Sequence, residues 1–133
     1  MKPVFADTFF FLALLNPADA AHRDAVAVSR SLRRRRVTTT WVLTEAGDAM
    51  SVGTSRSAFL QFLELIKASP LVTVVPATEE LFARGVVLFS QRPDKEWTST
   101  DCISFVVMAD QGLTEALTGD HHFEQAGFTA LLK

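Results

Sequence analysis

Short apolar or β-branched runs alternate along this chain with longer segments whose apolar residues recur at helical spacing. Pro3 to Ala6 reads as a first strand. After Asp7-Thr8 the pattern turns helical through Leu15 and stops at Asn16-Pro17, because the residue before a proline is pushed out of helical backbone. Asp19 is placed to cap a second helix with apolar positions at Ala21, Ala25, Val28 and Leu32. Val37 to Thr40 is β-branched and reads as a second strand, and Trp41 through Met50 returns to helical spacing. Gly53-Thr-Ser marks a turn before an amphipathic face at Phe59, Phe62, Leu63 and Ile66, which ends at Ser69-Pro70.

Leu71 to Val75 is the clearest strand. Thr78 caps a helix with early acids at Glu79 and Glu80, running to about Ser90, and Gln91 to Thr100 is a polar loop. Ser99 or Thr100 is expected to cap a buried helix that begins with Asp101, continues to Asp110 and closes at Gly112. Glu115 to Thr118 forms a fourth strand, Gly119 to His122 a turn into a brief helix, and Phe128 to Leu132 a final strand. Strands alternating with helices predict an α/β fold with a parallel sheet covered on both faces.

The length of 133 residues fits one domain, with 48% hydrophobic and 21% charged residues as in a globular chain. One cysteine cannot close an internal disulfide. Phe9 to Leu15 is too short to span a membrane, and Asp7 stands where a signal peptide would be basic, so a cytoplasmic protein without a membrane partner is expected. The net charge of -2 gives no general attraction to nucleic acid, and the basic stretch from Ser29 to Arg36 reads first as a solvated helix end.

Four acids stand out by position: Asp7, Glu45, Asp101 and Asp120 each lie at the end of an apolar run or at the start of the next element. In a parallel sheet, ligands bind beyond the carboxyl ends of the strands, where strand order reverses. Acids at helix starts also serve as caps, and Asp101 alone reads that way. Asp7, set among Phe and Leu, is an expensive place for an unpaired charge. If the four converge, no regular set of cations accompanies them, so a divalent metal is the natural counter-charge.

Phe5-Ala-Asp7-Thr8, Leu43-Thr-Glu45, Thr100-Asp101-Cys-Ile-Ser-Phe-Val-Val-Met108 and Ala116-Leu-Thr-Gly-Asp120-His-His-Phe-Glu-Gln-Ala-Gly-Phe128 together resemble the PIN-domain family, which includes the VapC-like toxin ribonucleases. The resemblance runs from residue 5 to 132. It implies a three-layer α/β/α sandwich with a central, mostly parallel sheet, a single domain over residues 1–133, and a Mg²⁺- or Mn²⁺-dependent endoribonuclease. It further implies that Asp7, Glu45, Asp101 and Asp120 are both catalytic and metal-holding, with Thr8 and Thr118 as supporting hydroxyls. RNA as substrate, a cognate antitoxin and a homodimer are the expected partners.

Among other candidates, His121 and His122 read as surface histidines after a turn, and Cys102 as a small core residue. Trp97 could stack on a base, or pack over a helix. Asp48, Asp94 and Asp110 read as surface charges. Two alternative functions are a catalytically weak PIN-like protein that binds RNA or an antitoxin, and an Asp-based phosphoryl-transfer domain. The latter is disfavoured, because Asp7-Thr8-Phe9 lacks the second acid two residues on that such phosphatases carry.

Overall fold

The computed structural model describes residues 1–133. The chain runs β1 (Val4–Ala6), α1 (Thr8–Leu15), α2 (His22–Ser31), β2 (Arg36–Thr39), α3 (Thr40–Ala49), α4 (Ser55–Ala68), β3 (Val72–Val75), α5 (Glu79–Gln91), α6 (Ser99–Asp110), β4 (Glu115–Leu117), α7 (His121–Gln125) and β5 (Thr129–Ala130). All pairings are parallel, in the order β3-β2-β1-β4-β5. The chain steps outward from β1 to β2 and β3, then returns past β1 to β4. Right-handed crossovers therefore put α1–α4 on one face and α5–α7 on the other. The contacts agree, α1 packing on α2 and α3, and α6 on α5 and α7.

The central strand explains the core. Val4, Phe5 and Ala6 are each at most 1% exposed, as expected of a parallel strand covered on both faces. Phe5 lies near Phe123 of α7, which meets Phe105 of α6 edge-to-face at 4.9 Å. Burying one such ring is worth about 2–3 kcal/mol. Gly85 brings α5 against Ile103 of α6, where any Cβ would collide with the Ile103 side chain.

Several boundaries differ from expectation for identifiable reasons. Asp19 does not cap α2; its carboxylate accepts from the Ala21 amide at 2.8 Å in a local turn, and the helix begins at His22. β2 begins at Arg36, paired with Val72, and Thr40 joins α3 because the Thr39 hydroxyl accepts from the Val42 amide as its cap. The cap of α6 is Thr98, not Ser99 or Thr100. The last strand starts later than expected, since the Phe128 amide donates to the Phe123 carbonyl within α7 and Gly127, at φ +96°, turns the chain; past Ala130 the Leu131 and Leu132 amides still reach the Ala116 and Thr118 carbonyls. The arginine stretch lies at the amino edge of the sheet, around the start of β2. There Arg34 pairs with Glu115 at 2.7 Å, and Arg36 donates to the Ser29, Leu32 and Arg34 carbonyls. These two arginines tie the α2–β2 connection down and are not simply a solvated helix end. No helix is long and apolar enough to cross a membrane.

Candidate active site

The reversal of strand order falls between β1 and β4, whose carboxyl ends are adjacent through the pairs Phe5–Ala116 and Ala6–Leu117. Asp7 leaves the first of these strands, and Thr118, Gly119 and Asp120 leave the second. Thr118 joins them: its hydroxyl donates to Asp7 Oδ2 at 2.9 Å and accepts from the Asp120 amide at 3.1 Å. Thr118 is fully buried, so the geometry of this bridge is held by the core.

Asp101 arrives from the opposite helical layer. Thr98 and Asp101 form a capping box, in which the Thr98 hydroxyl accepts from the Asp101 amide and Asp101 Oδ2 accepts from the Thr98 amide. The same Oδ2 lies 3.0 Å from His122 Nδ1, which is 3.5 Å from Asp120 Oδ1. Asp120 in turn caps α7 through the His122 amide at 2.9 Å. One chain of contacts thus runs Asp7, Thr118, Asp120, His122, Asp101.

Asp7 is buried at 4% exposure, and its carboxyl is pushed up from 3.8 to about 7. Desolvation is the largest cause, the Thr118 hydrogen bond opposes it, and the nearby Asp101 charge adds to it. The amides of Thr8 and Phe9 also favour the carboxylate, although neither reaches it with the geometry of a cap. An acid so placed gains from a cation. The remaining features fit one: the donors are hard carboxylate oxygens, and the buried Thr8 hydroxyl has no hydrogen-bond partner within the protein.

The structure therefore brings together Asp7, Asp101, Asp120 and Thr118, with Thr8 beside them in the chain. It does not tie Glu45 into that network. Glu45 is half-buried in the second turn of α3, rather than beginning it, and makes no hydrogen bond or ion pair with the other three acids. Its helix touches both α1 and α6, which carry neighbours of the site.

His122 is the residue that sequence reasoning undervalues. It is no simple surface histidine: its side chain is 16% exposed and lies between two acids. The available signal is the short run Asp120-His-His-Phe123, since a cap at Asp120 and a core ring at Phe123 leave little freedom for residue 122. His121 remains exposed. Cys102 is a buried core thiol raised by burial, as expected. Trp97 packs: its Nε1 donates to Gln125 at 3.0 Å, its ring meets Phe105 edge-on, and Arg92 covers it. Asp94 and Asp110 pair at the surface with Arg92 and Arg84.

An α/β/α sandwich whose parallel sheet carries clustered carboxylates at its switch point resembles the VapC-like PIN domains. The relatives bear this resemblance out. The chain is 29% identical over 125 residues to the 23S rRNA-specific endonuclease VapC20 of Mycobacterium tuberculosis, in two strains, covering 94% of this chain and 95% of that protein. The crystal structure of M. tuberculosis VapC20, described as a sarcin-ricin loop cleaving toxin, superposes with a TM-score of 0.88 at 27% identity, covering 96% and 98% of the two chains. FitAcB from Neisseria gonorrhoeae shares the fold at TM-score 0.68 and 19% identity, over 96% and 94% of the chains. No family model matches the chain.

Proposed function

We propose that residues 1–133 form one PIN-like nuclease domain acting in the cytoplasm as a metal-dependent endoribonuclease, the toxin of a toxin–antitoxin pair. The observation that carries this reading is the linkage of Asp7, Asp101 and Asp120 at the switch point, in a chain similar to a 23S rRNA-specific endonuclease. Asp7, Asp101 and Asp120, with Glu45 as a fourth ligand, would hold Mg²⁺ or Mn²⁺. Bound there, such an ion lowers the pKa of a coordinated water and neutralises charge on the scissile phosphate.

The chain's own residues prepare that chemistry. Thr118 fixes the rotamer of Asp7 and the backbone that carries Asp120. Thr98 and His122 hold Oδ2 of Asp101, which leaves its Oδ1 to face a ligand. Because Asp7 holds a proton up to about pH 7, binding of a cation releases that proton, and affinity rises with pH. A homodimer and an antitoxin that presents an Arg to the carboxylates complete the proposal, since a bidentate guanidinium can occupy the place of a metal.

End-labelled RNA containing the sarcin-ricin loop, incubated with Mn²⁺ or with chelator, tests the reading. Discrete internal cuts are expected with Mn²⁺ and wild type, and none with chelator or with Asp101→Asn. Binding of RNA without any cut under all metal conditions would favour the non-catalytic alternative.

A further inference from the structure

The outer lip of the acidic cluster carries nitrogen, which the hard-cation reading leaves unused. His121 and His122 stand with ring centroids 4.5 Å apart. His122 Nδ1 lies 3.0 Å from Asp101 Oδ2 and 3.5 Å from Asp120 Oδ1, and His121 Nδ1 lies 3.6 Å from the same Asp120 oxygen. The donor atoms of Asp120, His121 and His122 all fall within 4.8 Å of one another. For ligand bonds of about 2.0–2.1 Å, the edges of a tetrahedron are about 3.3–3.4 Å. The three separations from Asp101 to His122, His122 to Asp120 and Asp120 to His121 bracket that value, and Asp101 stands beside His122 just outside the three-residue group.

We propose that Asp120, His121 and His122, with Asp101 closing the fourth position, form a site for a borderline transition metal, Zn²⁺ above all. Two imidazoles and two carboxylates are a zinc-type donor set, whereas Mg²⁺ takes oxygen and keeps its waters. Both rings come from the first turn of α7, whose start is held by the Asp120 cap and by the buried Phe123, so the pair is presented together. His121 is exposed and has only Asp120 beside it among charged partners, so little opposes its recruitment. When His122 turns to the metal, Asp101 Oδ2 keeps the Thr98 amide as donor. The other nitrogen and sulfur donors stand apart: His22 Nδ1 is engaged by the Ala13 carbonyl at 2.8 Å, and Cys102 is buried.

Because this site shares Asp101 and Asp120 with the proposed catalytic set, Zn²⁺ would exclude the hard cation. That consequence rests on the ribonuclease reading, while the binding itself does not.

Titration of the metal-free full chain with Co²⁺, followed by visible absorption, separates the two. Wild type should develop the intense bands of four-coordinate cobalt, and stoichiometric Zn²⁺ should abolish them. His121→Ala, at an exposed position, and His122→Ala should each lose the bands, while Asp7→Asn should retain them. Zn²⁺ affinity, measured by calorimetry, should fall at least roughly tenfold in His121→Ala, equivalent to about 1.4 kcal/mol. A weak, six-coordinate cobalt spectrum in wild type would overturn the proposal. So would bands that survive in His121→Ala, or thiolate charge-transfer bands pointing to Cys102. If the cobalt result holds but Zn²⁺ leaves Mn²⁺-supported RNA cleavage unchanged, the sites do not compete and the exclusion is wrong.

Discussion

Thr118 Oγ1 donates to Asp7 Oδ2 across 111 residues of sequence, and the same hydroxyl accepts from the Asp120 amide. One fully buried side chain therefore sets both acids that leave the two central strands. Thr118→Val fills the same space but leaves a buried carboxylate and a part-buried amide without their partner, at a cost of about 1–3 kcal/mol. It also removes the main influence holding the Asp7 carboxyl down, so that carboxyl should move above about 7. Thermal melts should show the loss, and the pH midpoint of Mn²⁺ binding should shift upward. Thr118→Ser should behave as wild type, and equal behaviour of Val and Ser would deny the bridge its role.

Asp7 makes the metal-free protein sensitive to pH in a direction opposite to a salt-bridged acid. Its folded-state value of about 7 exceeds the ordinary 3.8, so between these values the native state keeps a proton that the unfolded chain has lost. The stability linked to that proton is complete at low pH and is lost as the pH rises through about 7. At about 1.4 kcal/mol per pH unit the loss is on the order of 4 kcal/mol at most. Asp7→Asn should therefore melt higher than wild type at pH 8 in chelator, and the two should converge near pH 4. A constant difference across that range would contradict the assignment.

The capping box has a functional side. Thr98→Ala removes the hydroxyl that accepts from the Asp101 amide and should cost about 1 kcal/mol, an ordinary cap loss. Asp101 should then be less well oriented, so cleavage should fall by more than the small stability change explains. Comparing kcat at a temperature where both proteins are fully folded measures the difference, and unchanged kcat would make the cap purely structural.

The contact between α5 and α6 depends on Gly85, where a Cβ would overlap Ile103 Cγ1 and approach the Ile103 backbone at 3.4 Å. Gly85→Ala would gain helix propensity in isolation, yet overpacking here should destabilise by about 1–3 kcal/mol. Since α6 carries Asp101, urea unfolding and Mn²⁺ affinity should weaken together. A stabilised variant would show that the helices separate easily.

How much of the molecule is legible in the chain depends on the kind of signal. β1 and β3 stand out because a parallel strand is continuously apolar or β-branched, and Thr78 announces α5 by a local rule that needs no tertiary information. Asp7, Asp101 and Asp120 are also legible, because each sits at a recognisable element end and matches a family motif. The arginines mislead because Arg34 finds Lys2 and Glu115 only once β1, β2 and β4 lie side by side, while Arg36 folds back onto the carbonyls of its own α2–β2 connection. Asp19 has the look of a cap, although its local turn is satisfied two residues on, before any helix begins. His122 is hidden for a similar reason: its significance comes from Asp101, on a helix 21 residues away. Repulsion among clustered carboxylates gives the right sign for the raised Asp7 carboxyl, but burial, which needs the fold, is the larger cause.

The ribonuclease reading stands or falls on Asp7, Asp101 and Asp120 holding a divalent cation. Crystals grown with Mn²⁺ at a concentration that supports RNA cleavage, and measured for anomalous scattering, decide the matter. A manganese peak is expected within about 2.2 Å of carboxylate oxygens from at least two of these three acids, with Glu45 reaching it directly or through water. A peak bound elsewhere, or no peak while cleavage proceeds under the same conditions, would refute the assignment.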